Sequence, residues 1–371
     1  MSEAIRLPAE RRDALELAAL AGTDTGRRPP GWALSPRAVQ TYLTGSQTPV
    51  EHEGAAVTIR RKFYGDDRLI QRAIVSLASD RGLLLIGEPG TAKSWLSEHL
   101  AAAISGTSLL TIQGSAGVTE DQITYGWNYA LLLAEGPSER ALVPGPLLRG
   151  MREGRLVRFE EITRAPHEVQ DTLLSALSDK VVVIPELGDE HGVVLAKPGF
   201  NIIATANTRD RGVNEMSAAL KRRFNFETVM PLTDLEQEVA IVRDQVGQLV
   251  ADEGITPVIG EDVLMLLVTT FQELRAGRTI DGVSVDRTAA VMSTAEAVSV
   301  AHQAALHAAY FDEGEVTPEH LVDHLAGAAV KDLPEERRTL RKYWEVAVKP
   351  RAVREVGRWR ELWAARRLLE D

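Results

Sequence analysis

The chain has 371 residues, a formal charge of −11, 44 % hydrophobic and 26 % charged residues, the make-up of a globular protein of about two to three domains. It has no cysteine, which excludes disulfides, cysteine-ligated zinc, iron–sulfur clusters and thiol catalysis and favours a reducing compartment. The acidic balance argues against tight non-specific DNA binding by the surface as a whole, though not against a local basic patch.

The opening residues mix charged and apolar side chains, with no apolar core of secretory type. No stretch approaches the ~18 apolar residues of a membrane span, so a cytoplasmic location is expected. Residues 1–61 read as an accessory helical region. Residues 8–21 have helical periodicity, residues 24–32 form a Pro/Gly-rich break, Ser35-Pro36 opens a short helix, and residues 46–54 read as linker.

Residues 62–231 change pattern. A helix over 66–79 precedes the apolar run 82–87, a strand buried on both faces. Further strands are expected at 108–113, 156–160, 201–206 and 224–230. Alternation with helices implies a parallel sheet covered on both sides. Two segments interrupt the alternation: a loop-rich stretch at 115–147 and a hairpin at 180–200. Residues 232–330 form a small helical domain, with helices at 233–250, 261–274, 284–308 and 318–328; Thr317-Pro318 starts the last one. The tail, 331–371, is helical and basic. From Pro334 onward it carries 11 basic against 7 acidic residues, and it holds Trp344, Trp359 and Trp363. There is no internal repeat.

The strongest local signal is Gly87, Glu88, Pro89, Gly90, Thr91, Ala92, Lys93 and Ser94, between an apolar strand and a helix that begins with Trp95. This is the context of a phosphate-binding loop. Backbone N–H groups and the helix N-terminus present positive ends to phosphate oxygens. Lys93 would reach the outer phosphates, and the Ser94 hydroxyl would go to Mg²⁺. Ala92 stands where Gly usually precedes the lysine, a change that suits helical dihedrals there.

Glu160 and Glu161 end the run LVRFEE. Phosphoryl transfer to water needs a metal ligand and a group that orients the water. A carboxylate pair at the C-terminal end of a parallel strand, beside the phosphate loop, meets that need. Glu160 would hold Mg²⁺ and Glu161 would polarise the water. Most such motors have Asp at the first position, so Glu160 is one methylene longer. Read alone, the two acids would simply open the next helix.

With these residues placed, the chain resembles the AAA+ ATPases, within them the MoxR group, and most of all its YehL-like subgroup. The resemblance covers about 62–330 and rests on GEPGTAKS, PGPL, FEEITRAPHEVQDTLLSAL, NIIATANTRD, ALKRRFNF and VSVDRT in that order. It implies an α/β P-loop AAA+ core with a five-stranded parallel sheet, a small all-α lid, and helical extensions at both ends. Asn207 is then similar to the sensor that orients water and reads the γ-phosphate; the competing reading is a strand-end turn. Arg223, with Arg222 as second candidate, matches the arginine finger that completes a neighbour's site, against a solvated basic cluster. Arg287 matches the lid sensor, against a surface helix arginine. Residues 63–65, with Tyr64, lie where relatives line the adenine pocket, though Phe63 and Tyr64 equally suit a core. The two interruptions match insertions that face a pore or partner; Trp127 and Tyr129 would contact substrate there, or merely anchor a long loop.

The resemblance implies ATP and Mg²⁺ as cofactors, a homo-oligomeric ring, expected to be a hexamer, and a chaperone-like role with a von Willebrand factor A domain partner. Two rivals stand beside it. One is a McrB-like NTP-driven nucleic-acid motor, with the Trp-rich basic tail on a strand. The other is a nucleotide switch that barely hydrolyses.

Overall fold

The computed structural model describes residues 6–207, 215–288, 292–330, 334–354 and 357–369. Residues 208–210, the end of the motif NIIATANTRD, lie outside them. The described residues form two compact units, the first up to Glu88 and over Ala92–Met230, the second from Pro231 onward with Pro89–Thr91.

The first unit is built on five parallel strands: β1 (Gly82–Gly87), β2 (Thr111–Gln113), β3 (Leu156–Glu160), β4 (Asn201–Asn207) and β5 (Phe224–Val229). Their order is β5-β1-β4-β3-β2, with all neighbours parallel. The central strands are almost continuously apolar because both faces are covered. Helices α1 (Asp67–Ala78) and α2 (Lys93–Ser105) lie in the layer on one face. Leu83 and Leu85 of β1 pack there with Leu69, Ile70 and Ile74 of α1 and Leu96 and Leu100 of α2. Leu84, one residue out of phase, joins Phe159, Ile202 and Ala204 in the opposite core. The alternation fixes the face on which the polar residues of β3 emerge. Leu156 packs on the α2 side, so Arg158 and Glu160 point the same way.

Residues 6–61 add a wall to that first core. Ala19, Leu20, Trp32, Tyr42 and Leu43 belong to the same apolar cluster as α1, α2 and β1. The periodic stretch 8–21 is two helices, Ala9–Arg12 and Ala14–Thr23. They break at Asp13, whose carboxylate accepts from the Tyr42 hydroxyl at 2.7 Å. Residues 46–54 are not a plain linker. Val50–His52 pairs with Ala55–Val57 around Glu53 and Gly54, both left-handed at φ 48° and 79°, the signature of a two-residue hairpin turn. Glu at the first turn position hid it from the sequence.

Both interruptions contain regular structure. In the first, Tyr125–Trp127 pairs with Leu142–Pro144, and helix Tyr129–Glu135 lies between them. In the second, Val181–Val183 pairs with Val193–Leu195 as an antiparallel hairpin.

The second unit contains α3 (Leu235–Asp252), α4 (Glu261–Ala276), α5 (Thr294–Phe311) and α6 (Pro318–Ala329). The expected helix over 284–308 begins ten residues late. A capping box between Ser293 and Glu296 starts α5, whereas Ser284 bridges back to Arg278 outside any helix. Leu340, Tyr343, Trp344, Val348, Trp359 and Leu362 of the tail share one core with these helices. No helix among the described residues is long and apolar enough to cross a membrane.

Candidate functional site

The phosphate-type loop leaves β1 at Gly87 and enters α2 at Lys93. Two of its residues are left-handed, Gly90 at φ 75° and Ala92 at φ 63°. Alternating backbone hand is how successive N–H groups converge on an anion, and α2 adds the positive end of a 13-residue helix. The Lys93 side chain is 7 % exposed, and its ammonium donates to the carbonyls of Gly87 at 3.2 Å and Glu88 at 2.7 Å. The expectation for Ala92 needs correcting. The residue is not helical, because the chain reverses hand just before the helix starts, and a left-handed Ala costs about 1–2 kcal/mol.

Glu160 ends β3, directly opposite Gln113 of β2, and its carboxylate is buried. Oε2 accepts from the Ser94 hydroxyl at 2.7 Å and from the Thr205 hydroxyl at 2.8 Å. Oε1 accepts from Ser97 at 2.5 Å and from Arg158 at 2.7 Å. Burial opposes ionisation of this group, but the Arg158 charge and the Ser97, Ser94 and Thr205 hydroxyls outweigh it and hold the carboxyl below the usual carboxylate range. The extra methylene of Glu over Asp is thereby absorbed. One oxygen is anchored back on Arg158 and Ser97, and the other meets Ser94 at the loop. Two hard oxygen donors side by side, at the mouth of a phosphate loop, fit Mg²⁺.

Glu161 follows in a left-handed conformation, φ 54°, ψ 48°, a strain of about 1–3 kcal/mol for a non-glycine residue. Its N–H donates to Thr205 Oγ1 at 2.9 Å, and its carboxylate, partly exposed, pairs with Arg164 at 2.7 Å. The kink turns Glu161 away from the direction of Glu160, so adjacent acids take different surroundings. Asn207 ends β4 in register with Gly87 of β1. Lys93, Ser94, Glu160, Glu161 and Asn207 therefore gather at the C-terminal edge of the sheet, where open α/β sheets bind ligands.

The arginines do not join them within the first unit. Arg222 and Arg223 immediately precede Phe224, which is in register with Gly82, the first residue of β1. The phosphate loop begins at the far end of that strand, roughly 16 Å away at ~3.3 Å per residue. Arg222 is exposed. Arg223 donates from Nε to Ser178 Oγ at 2.8 Å and from a terminal nitrogen to the Ala219 carbonyl at 2.8 Å. Arg287, in the second unit, is not on a helix. It donates to the Ala276 carbonyl at 3.2 and 3.0 Å, at the C-terminal end of α4.

Phe63 is core, 3 % exposed, while Tyr64 is half-buried with the Arg61 guanidinium 5.4 Å from its ring centre. Trp95 is turned toward the N-terminal segment. Its indole N–H donates to the Lys62 carbonyl at 2.8 Å, its ring lies 4.3 Å from that of His99, and Arg12 stacks 4.6 Å from its centre. In the insertion, Trp127 packs edge-on to Tyr125 at 6.0 Å, whereas Tyr129 is exposed.

Residues 82–224 match the model of the AAA domain of the dynein-related subfamily, and residues 236–370 match the YehL-like AAA+ ATPase C-terminal domain. The uncharacterized protein YehL of Escherichia coli (strain K12) is 51 % identical over 98 % of this chain and 97 % of its own length. The chain belongs to the YehL-like AAA+ ATPases. A Staphylococcus haemolyticus protein is 29 % identical over 45 % of this chain and 62 % of its own. Among solved structures, NtrX from Brucella abortus in complex with ADP superposes with a TM-score of 0.50 at 14 % identity, over 83 % of this chain and 70 % of that one. The NtrX complex with ATP matches at the same TM-score and 15 % identity. At that distance the likeness is one of fold.

Three groups of this AAA+ site escaped the sequence reading: Arg158, Ser97 and Thr205. Arg158 carried a signal. A cation inside an apolar strand, two residues before Glu160, must share its face and must be paired when buried. It reaches Glu160, Ser97 and the carbonyls of Ser94 and Ser108. Thr205 sits unmarked within NIIATAN, and only the pairing of β4 with β3 brings it to Glu160.

Proposed function

We propose that this YehL-like protein hydrolyses ATP with Mg²⁺ at the subunit interfaces of a homo-oligomeric ring, a hexamer, and that turnover remodels or assembles a partner protein complex. The MoxR-type resemblance supplies the partner class, a von Willebrand factor A domain protein, and a cytoplasmic setting. The carrying observation is the contact of Ser94 with Glu160 beside Lys93, one polar cluster where a phosphate loop meets the end of the neighbouring acidic strand. NtrX, described in complex with ATP and with ADP, supports the choice of nucleotide.

Lys93 leaves its loop carbonyls to meet the outer phosphates, and the N–H groups of residues 87–94, with Trp95 next in line, cradle the chain of phosphates. Ser94 and Glu160 would hold Mg²⁺, which would supply neutralisation of phosphate charge. Glu161 accepts a hydrogen bond from the attacking water and aims it, and Asn207 fixes its line of approach. Arg223 or Arg222, out of reach of its own loop, stabilises transition-state charge in the neighbouring copy, and Arg287 is the lid arginine that contacts the phosphates. Tyr64 is the candidate to line the adenine pocket. Exposed Tyr129 and Leu133 in the first insertion, and Val183, Val193 and Leu195 in the hairpin, are the surfaces that would meet a client. Burial of Trp344 and Trp359 removes two of the three aromatic faces that a nucleic-acid motor would use, which supports a protein client.

Lys93→Ala should lose nucleotide binding and turnover, measured by fluorescent-nucleotide titration and phosphate release. Glu161→Gln should keep ATP bound while turnover falls at least about a hundredfold, the scale of a lost general base. Wild-type turnover in either variant overturns that assignment, and copurification on Glu161→Gln identifies the client.

A further inference from the structure

Three of the chain's eight histidines converge where α5 meets α6. His307 comes from α5, and His320 and His324 lie one turn apart on α6. His307 Nδ1 is 3.1 Å from His324 Nε2 and 3.6 Å from Asp323 Oδ2, and the three ligand atoms all lie within 4.8 Å of one another. Ligands of a tetrahedral ion held at ~2.0–2.2 Å stand about 3.3–3.6 Å apart. We infer that His307 Nδ1, His324 Nε2 and Asp323 form a binding site for a divalent transition metal of the Zn²⁺, Co²⁺ or Ni²⁺ class, bridging α5 and α6.

The neighbouring groups favour this seat over the other one, in which His307 Nε2, Asp312 and His320 also lie within 4.8 Å of one another. His320 is committed twice. Its Nδ1 accepts from the Thr317 N–H at 3.0 Å, so its Nε2 carries the proton and donates to Asp312 Oδ2 at 2.8 Å. That carboxylate also faces His307 Nε2 at 4.0 Å. At that distance the carboxylate makes no hydrogen bond to the ring, but its charge favours a proton on Nε2 over Nδ1, the nitrogen that faces His324 and Asp323. Imidazole with carboxylate selects these ions over Mg²⁺ and Ca²⁺, which prefer all-oxygen shells. Three protein ligands leave one position for water or a partner's side chain.

Full-length protein without nucleotide should bind one equivalent of Zn²⁺ in calorimetric titration, and Co²⁺ should give the intense visible bands of a tetrahedral site. His307→Ala and His324→Ala should abolish both signals. Asp323→Ala, at an exposed position, should weaken Zn²⁺ at least about tenfold. No Zn²⁺ binding by the wild type, or binding that His324→Ala leaves unchanged, overturns the site. If a histidine variant loses its helical circular dichroism, Asp323→Ala decides, and wild-type affinity in that variant overturns it equally.

Discussion

Ala92 occupies a backbone conformation that glycine adopts freely, at the step before the phosphate-loop lysine. Ala92→Gly removes a left-handed cost of about 1–2 kcal/mol and adds back about 0.4–1 kcal/mol of unfolded-chain freedom. The variant should therefore be more stable, by up to about 1.6 kcal/mol, with a melting temperature up to about 2 °C higher and nucleotide affinity held or improved. A lower melting temperature would mean that the methyl group makes contacts worth more than the strain. Glu160 teaches the converse lesson. Its departure from Asp was legible in the sequence and its remedy was not, because Ser97 lies 63 residues away and only the packing of α2 on β3 unites the two. Glu161 could be placed beside Glu160 from sequence, but the left-handed kink that separates their environments could not.

At the scale of elements, the tail is fastened to the helical unit by a buried ion pair. Arg351 grips Glu273 of α4 at 2.6 and 3.0 Å, the Tyr343 hydroxyl donates to the same carboxylate at 2.7 Å, and Trp359 stacks 4.6 Å from the guanidinium. Removing one partner strands a buried charge. Arg351→Met should cost about 3–5 kcal/mol and Tyr343→Phe about 1–2 kcal/mol, both read from urea unfolding followed by tail tryptophan fluorescence; equal small losses would show that the pair is not what fastens the tail. Elements with a strong local pattern were legible: the five sheet strands, the insertion hairpin and the helix opened by Thr317-Pro318. Those that depend on one residue's backbone were not. The turn at Glu53-Gly54 lacks the usual Asn or Asp, and the apolar run after Ser284 mimics a helix until Ser293 and Glu296 cap the real one. The histidine cluster offered only the i, i+4 pair on α6, since His307 arrives from another helix.

For the whole molecule, the position of Arg222 and Arg223 at the opposite end of β1 and β5 from the phosphate loop makes cooperation between copies a geometric requirement of the proposed mechanism. Neither Lys93→Ala nor the Arg222→Ala/Arg223→Ala double variant should turn over ATP alone. An equal mixture should recover activity, because about a quarter of head-to-tail interfaces in mixed rings pair an intact loop with an intact arginine. Turnover per subunit should also rise with protein concentration. A mixture as inert as its components would exclude a shared site.

The segment ahead of Lys62 leans on the helix that issues from the phosphate loop. Arg6 and the Ala9 N–H hold Glu98 at 2.9 and 3.1 Å, Asp13 faces His99 at 3.6 Å, and Arg12 covers Trp95. A fragment beginning at Lys62 would bare an oily flank along this helix and leave Glu98 and His99 stripped of those companions. The opening helices act as a splint on the helix that carries Lys93 and Ser94, so loosening that splint would be felt in the loop itself.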